Sequence, residues 1–158
     1  MKKENAQRST PNAQRSTAQA QPLMQFENDA KFDLEERLLE FAERIIHVSD
    51  SLPSTRSGNH IAGQLLRSGT SPLPNHGEAQ AAESVDDFVH KLKICLKELR
   101  ETRRWLRLCR RAFFRKSPAR IDPLIAECIE LIRIFATSIK TATAKKMQRR
   151  SDKRPAAE

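Results

Sequence analysis

The chain has 158 residues and a net charge of +9, with seven phenylalanines, one tryptophan, no tyrosine and four glycines. A chain of this length is expected to form one domain, and so few glycines favour helices over the tight turns of a β sandwich. No apolar run reaches the roughly 18 residues that a membrane-spanning helix needs, and the start of the chain lacks the apolar segment of a secretory signal.

The cysteines give a first indication of cellular setting. Cys95, Cys109 and Cys128 are odd in number, widely spaced and embedded in apolar stripes, and no C-x-x-C pair is present. This pattern is typical of reduced core thiols rather than of a disulfide framework or a metal site. We therefore expect a cytoplasmic protein that holds no metal and no cofactor.

The charge is distributed unevenly along the chain. Residues 97–116 contain nine basic and two acidic residues, and residues 145–158 contain six basic and two acidic residues. Residues 26–96 are acidic overall, whereas residues 1–25 carry four basic residues and one acidic residue. The basic excess therefore lies in one internal segment and two tails.

Both ends of the chain are predicted to be disordered. Residues 1–28 carry the direct repeat Asn-Ala-Gln-Arg-Ser-Thr and few apolar side chains. Such a segment cannot bury enough surface to offset the entropy of ordering it. Residues 147–158 are predicted to be a basic disordered tail, which leaves residues 29–146 as the folded domain.

The first two predicted helices occupy the acidic part of the chain. The first runs from about Phe32 to Asp50, because its apolar residues recur at steps of three and four with acidic residues outside. The second begins near Ser57. Two prolines and two glycines in the stretch 68–77 predict that it kinks or stops there, with a short continuation over residues 78–83.

The last two predicted helices are long. The third spans Val85 to Phe113 and is about 40 Å long; its start resembles a capping box, with Ser84 as the N-cap. The fourth begins at Asp122 with a proline at its first position, and its pattern ends near residue 145. Four apolar stripes with short connections predict an all-α fold, an antiparallel up-down four-helix bundle with disordered N- and C-terminal tails.

Some apolar residues of the third and fourth helices lie off the main stripes. One interpretation is a wide core face, and the other is a second apolar surface used for self-association. These residues are Val89, Ile94, Trp105, Leu108, Ile129 and Ile134.

No combination of residues indicates catalysis. His76 and Glu78 match the H-x-E half of the zinc-deaminase motif, but the P-C-x-x-C half is missing. Neither a glycine-rich phosphate loop nor a G-x-S-x-G elbow is present. We therefore expect a protein with no catalytic residues, no metal site and no small-molecule substrate.

The basic internal segment is the main functional signal. Five cations recur at steps of three and four along the third helix and form what we call the basic ridge: Lys97, Arg100, Arg104, Arg107 and Arg111. Arg103 and Arg110 flank it. Arginine forks onto phosphate and stacks on bases, so these seven residues predict salt-sensitive nucleic-acid binding.

Two alternatives to nucleic-acid binding stay open at this stage. In the first, the ridge is a solvated face that is partly paired with the acidic first helix. In the second, the protein is an interaction module for an acidic protein partner, with no nucleic acid involved.

Residues 60–109 also resemble the bacterial four-helix bundle family that includes the 23S rRNA-intervening sequence proteins. The residues that carry the resemblance are Gln64-Leu-Leu-Arg-Ser68, Thr70-Ser71, Asn75, Glu78-Ala79, Ser84, Asp87-Phe88, Lys91-Leu92, Lys97-Glu98, Glu101-Thr102 and Trp105-Leu106. The chain departs from the family pattern at Pro72, Pro74 and Gly77, where the family has an unbroken second helix.

The resemblance implies a non-catalytic protein with macromolecular partners. Relatives form pentameric barrels, and a related branch serves as the basic accessory protein of diversity-generating retroelements. It thus implies a homo-oligomer, a pentamer by analogy, whose partner is RNA or a reverse transcriptase. Among the motif residues, Asn75, Glu78, Glu98 and Glu101 are predicted to form an internal polar network, because buried polar groups must find partners.

Overall fold

The computed structural model describes residues 33–152, and these residues are helical almost throughout. The helices are α1 (Leu34–Asp50), α2 (Arg56–Thr70), α3 (Pro72–Gln80), α4 (Val85–Ala112) and α5 (Asp122–Asp152), with a 3₁₀ turn at Pro118–Arg120. The described range contains no strand, so the predicted all-α class is confirmed. The predicted leader, residues 1–28, and the last residues of the predicted tail, 153–158, lie outside the described residues.

The helices form an antiparallel four-helix bundle in which α2 and α3 together make one side. Helix α1 packs on α2, α3 and α5, and α4 packs on the same three helices. Helices α1 and α4 therefore lie diagonally across the bundle from each other. The predicted bundle architecture is confirmed, and none of the described helices is both long and apolar enough to cross a bilayer.

Three helices begin at side-chain caps, Asp33 for α1, Thr55 for α2 and Ser84 for α4, and the sequence predicted the cap at Ser84. The carboxylate of Asp33 accepts hydrogen bonds from the backbone N–H groups of Glu35 and Glu36 at the start of α1. At the start of α4, Ser84 Oγ accepts the N–H of Asp87 at 3.1 Å. Each cap satisfies N–H groups that have no partner within the helix, which explains why these starts lie close to the predicted positions.

The second side of the bundle is interrupted at Ser71, between α2 and α3. Ser71 keeps helical torsions, with φ −59° and ψ −35°, and Pro72 occupies the first position of α3. Proline is tolerated there because its missing N–H is not needed in the first turn. The helix thus resumes at once and ends at Gln80. The predicted interruption of the helix is observed at Ser71, whereas the predicted restart at residue 78 is wrong.

Helix α5 extends beyond its predicted end. Residues 147–152, predicted to belong to a disordered tail, continue the helix to Asp152. Lysine, arginine, glutamine and methionine are good helix formers, and adding a residue to an existing helix costs far less than starting one. Lys146 also forms an ion pair with Asp86 of α4. The loss of the apolar stripe therefore did not mark the end of the helix.

The core runs along the bundle axis between the four sides. It is lined by fully buried side chains from every helix, among them Leu38, Phe41, Ile45, Leu65, Ala79, Cys95, Leu99, Leu106, Leu124, Leu131 and Phe135. Gly69 lets α2 approach α1 closely, because a Cβ at this position would lie 2.6 Å from Cγ2 of Ile45.

Two of the six apolar residues off the main stripes, Val89 and Trp105, contribute to this core. Val89 is buried, and four others are partly buried: Ile94, Trp105, Ile129 and Ile134. Leu108 differs, because 42% of its surface is exposed. A wide core face thus explains Val89, which is buried, and Trp105, which packs against the core, and self-association remains a prediction for the other four.

Candidate nucleic-acid interface

The basic ridge lies on the outer surface of α4. Its five side chains, Lys97, Arg100, Arg104, Arg107 and Arg111, are all exposed. They lie on the face of α4 opposite its buried stripe, because residues three and four positions apart recur on the same face of a helix. From Lys97 to Arg111 the ridge is about 21 Å long at 1.5 Å per residue.

The cations of the ridge have no acidic partner among the described residues. The ion pairs in this part of the chain involve other basic side chains. Arg104 Nη1 donates only to the carbonyl of Arg100, at 3.4 Å. The five charges therefore face solvent with no neutralising carboxylate within the described bundle.

The two flanking arginines are placed differently from the ridge. Arg110 forks onto Asp122 of α5, with Nε to Oδ1 at 2.5 Å and Nη2 to Oδ2 at 3.2 Å. The hydrogen bond from Arg110 holds the pKa of Asp122 below its ordinary value. Arg103 is half-buried on the α5 side of α4. Of the seven predicted residues, five thus form an unpaired surface, one is neutralised and one is partly withdrawn.

The acidic helix α1 does not mask the ridge. It lies diagonally across the bundle from α4, and its interhelical ion pair joins Arg37 to Glu127 of α5 at 2.8 Å. Its glutamates Glu36, Glu40 and Glu43 are exposed on the far side. The interpretation that the ridge is paired with the first helix is therefore wrong, and the bundle has a basic side and an acidic side.

The two acidic residues within the basic segment are neutralised from α2. Arg67 Nη2 donates to Glu101 Oε1 at 2.5 Å, and Arg67 Nη1 to Glu98 Oε2 at 3.5 Å. Glu98 is only 7% exposed, so it needs this cation to compensate its lost hydration. Arg67 belongs to the motif Gln64–Ser68 of the family resemblance, but no sequence pattern indicates that it pairs with Glu98 and Glu101. Its effect is to leave the ridge without competing carboxylates.

The predicted polar network does not form as one unit. Glu98 and Glu101 are joined through Arg67, but Asn75 bonds only to Ser71 in the preceding turn. Glu78 is exposed and pairs with Lys91 at 2.5 Å, which raises the pKa of that lysine.

The predicted network is divided because α3 and α2 pack on different parts of α4. Its N-terminal half packs on α3, as the contact from Cys95 Sγ to the carbonyl of Pro72 shows. Its middle packs on α2, where Thr102 Oγ1 lies 3.1 Å from Ser68 Oγ. Residues of α3 and the later acids of α4 therefore lie at different levels of the bundle and do not meet.

An apolar strip borders the ridge on the side of α2. Leu108 lies in a depression of about 210 Å³ lined by Arg104, Arg107 and Arg111. Next to it on α4, Trp105 is half-buried and its indole N–H donates to Glu101 Oε1 at 3.3 Å. The exposed His60 of α2 meets the indole edge-on, with ring centroids 6.3 Å apart. We call Leu108, Trp105 and His60 the apolar strip.

His76 is a core side chain rather than a member of a zinc site. It is 4% exposed, its ring stands edge-on to Phe135, and its Nδ1 has no partner among the described residues. Burial lowers its pKa, although the charges of Glu35 and Asp33 oppose the shift. The described residues contain no group of three side chains able to hold a metal ion.

The three cysteines are buried and unpaired. Burial raises the pKa of Cys95 and of Cys128 to about 12, and that of Cys109 to about 11. The thiolate is the reactive form of cysteine, so these side chains act as small core residues rather than as nucleophiles.

Comparison with known proteins covers most of the bundle. Residues 30–137 match the family described as 23S rRNA-intervening sequence protein. The fold is similar to a crystal structure of a protein of unknown function from the S23 ribosomal protein family of Bacteroides thetaiotaomicron VPI-5482. The two are 34% identical with a TM-score of 0.62, over 67% of this chain and 97% of that chain. No curated protein matches the chain.

Proposed function

The chain belongs to the 23S rRNA-intervening sequence protein family, and we propose that within this family it is a non-catalytic scaffold that binds RNA through the basic ridge. The observation that carries the proposal is the row of five exposed cations on α4 without an acidic partner in the described bundle. The family name associates its members with 23S ribosomal RNA, which makes RNA the polyanion to test first.

The energetics of the ridge favour an anionic partner. Like charges three and four residues apart destabilise a helix by a few tenths of a kcal/mol per pair. A bound phosphate backbone removes this repulsion and releases condensed counterions, which drives association at low salt. Because the acids of α1 lie on the opposite side, the field around the bundle orients the ridge toward an approaching polyanion.

Self-association is the second part of the proposal. Leu39 and Ile46 lie one heptad apart on α1 and are 48% and 42% exposed, which supports contact between copies of the chain. A homo-oligomer, a pentamer by family analogy, repeats the ridge and raises avidity for a long RNA without any new contact. Sedimentation at micromolar concentration tests this, and a monomer under those conditions would overturn it.

A matched pair of triple variants tests the ridge. In one, Arg100, Arg104 and Arg107 are changed to alanine; in the control, the exposed Arg44, Lys140 and Lys145 are changed instead. Both variants lose three positive charges, and circular dichroism checks that both remain helical. We expect the ridge variant to bind labelled RNA at least tenfold more weakly than the control variant at low ionic strength.

The same experiment separates RNA from a protein partner. Equal loss in both variants would show that net charge rather than the ridge governs binding. Retention of an acidic protein by nuclease-treated wild type, without any RNA binding, would favour the interaction module instead. The related accessory proteins imply a reverse transcriptase as partner, and its retention by the nuclease-treated wild type is measured in the same way.

A further inference from the structure

We propose that the ridge binds single-stranded nucleic acid, with a base stacked on the apolar strip formed by Leu108, Trp105 and His60. This inference rests on the proposed function and narrows it from RNA in general to an unpaired strand. It also assigns a role to three residues that phosphate binding alone does not need.

The first argument is the position of Leu108 within the cationic surface. Its side chain is 42% exposed, and the depression around it is lined by Arg104, Arg107 and Arg111. A double helix presents phosphates and sugars to a convex protein surface, and these polar groups gain nothing by packing on the apolar side chain of Leu108. An unpaired base offers an apolar face, and arginine itself stacks on such faces.

The second argument is that Trp105 is held in a fixed orientation. Its indole N–H donates to Glu101, and Glu101 is in turn bound by Arg67 of α2. The buried side of the ring packs against the core. A partly exposed aromatic ring that is already immobilised loses little entropy when a base stacks on it, so it forms a prepared platform.

The third argument is the spacing between charges and apolar groups. Arg104 and Leu108 are i, i+4 neighbours on α4, and Trp105 and Leu108 are i, i+3 neighbours, so their Cβ atoms lie about 5–6 Å apart. Phosphates on the ridge and a base on the strip are therefore within the reach of one strand. Beyond His60, a second depression lined by Thr55, Arg56 and Ser57 continues this surface across the start of α2.

The geometry is less suitable for a duplex. Side chains cannot read the deep, narrow major groove of A-form RNA, and proteins recognise its wide, shallow minor groove mainly by shape. A straight row of arginines on a single convex helix contacts one backbone strand. The bases of a duplex stay paired inside, so the apolar strip gains no partner from it.

The chain offers a direct optical test, because Trp105 is its one tryptophan and it contains no tyrosine. Tryptophan fluorescence therefore reports on the strip. The wild-type protein is titrated with an unstructured oligoribonucleotide and with the duplex of the same oligonucleotide at the same salt. We expect the single strand to quench Trp105 and to bind about tenfold more tightly than the duplex, as stacking of one base predicts.

Variants of the strip complete the test. Leu108→Ala and His60→Ala should each weaken single-strand binding by about five- to tenfold, within the range measured for stacked bases. Neither should change duplex binding or the salt dependence of binding. The control is Leu66→Ala, which removes a leucine of α2 that is exposed to a similar degree, 40%, and should leave RNA binding unchanged.

The outcomes distinguish this inference from the proposed function. Salt-dependent binding of single strand and duplex with equal affinity, and without quenching, would overturn the inference and leave RNA binding by the ridge intact. Absence of any RNA binding would overturn both. Equally strong quenching of Trp105 by polyglutamate would show that the strip accepts an acidic polypeptide, and the inference would again fail.

Discussion

Replacing Arg67 with alanine tests whether the acids of α4 are neutralised from α2. The guanidinium lies 3.5 Å from Glu98 and 2.5 Å from Glu101. The substitution therefore leaves the carboxylate of Glu98, a buried residue, in the bundle without a cation. Such a charge loses much of its hydration and gains nothing in return.

The expected cost follows from the exposure of the partners. Breaking a fully buried ion pair by removing one partner costs about 3–5 kcal/mol, whereas exposed pairs contribute about 0–1 kcal/mol. The side chain of Arg67 is 56% exposed, while those of Glu98 and Glu101 are 9% and 29% exposed. We expect a loss of about 2 kcal/mol in the free energy of unfolding, because solvent screens part of the interaction.

A double-mutant cycle with Glu98→Gln isolates the interaction. Urea unfolding followed by circular dichroism gives the free energy of each variant. In the Arg67→Ala background, Glu98→Gln should recover about 1 kcal/mol, because a neutral amide needs no cation. Arg133→Ala, which removes the exposed pair with Glu130, is the control and should cost under about 0.5 kcal/mol. A coupling energy near zero would refute the role assigned to Arg67.

Three further predictions concern stability and reactivity. Gly69→Ala places a methyl group 2.6 Å from Ile45 and should lower the unfolding free energy by about 1–3 kcal/mol. Gly63→Ala in the same helix has nothing within 4 Å and should raise it by about 0.5–1 kcal/mol; urea unfolding that gives the two variants the same sign would contradict this. Because the pKa of His76 is lowered in the folded state, the unfolded chain binds more protons and stability should fall as the pH drops below about 6.5. His76→Gln should remove that part of the pH dependence, and an unchanged slope between about pH 7.5 and 5.5 would be evidence against it. The three buried thiols should react with a thiol reagent only on unfolding, so rapid stoichiometric labelling of the native protein would disprove their burial.

The parts of the fold that the sequence predicted are those with local causes. The start of α4 was visible because Ser84 caps the N–H of Asp87 three residues on. The start of α1, predicted at about Phe32, lies at Leu34 because Asp33 is its cap. The interruption before Pro72 was visible because proline cannot donate a backbone hydrogen bond. The end of α5 was missed because helix propensity continued after the apolar stripe had ended.

The candidate site shows the same division. The basic ridge follows from helical spacing alone, and the five exposed cations lie where the sequence placed them. The role of Arg67 and the strip from Leu108 to His60 depend on how α2 is rotated against α4. That rotation is a tertiary property, so no local pattern signals it. The predicted network from Asn75 to Glu101 failed for the same reason.

The salt dependence of RNA binding tests the central claim most directly. For single strands, log Kobs falls with log salt by about 0.7 for each phosphate neutralised. If all five cations of the ridge bind phosphate, the wild-type slope is about −3.5, and removing Arg100, Arg104 and Arg107 reduces it to about −1.4. A slope that is the same in both proteins, or wild-type protein that binds no RNA at low ionic strength, would contradict the assignment of the ridge as the RNA-binding surface.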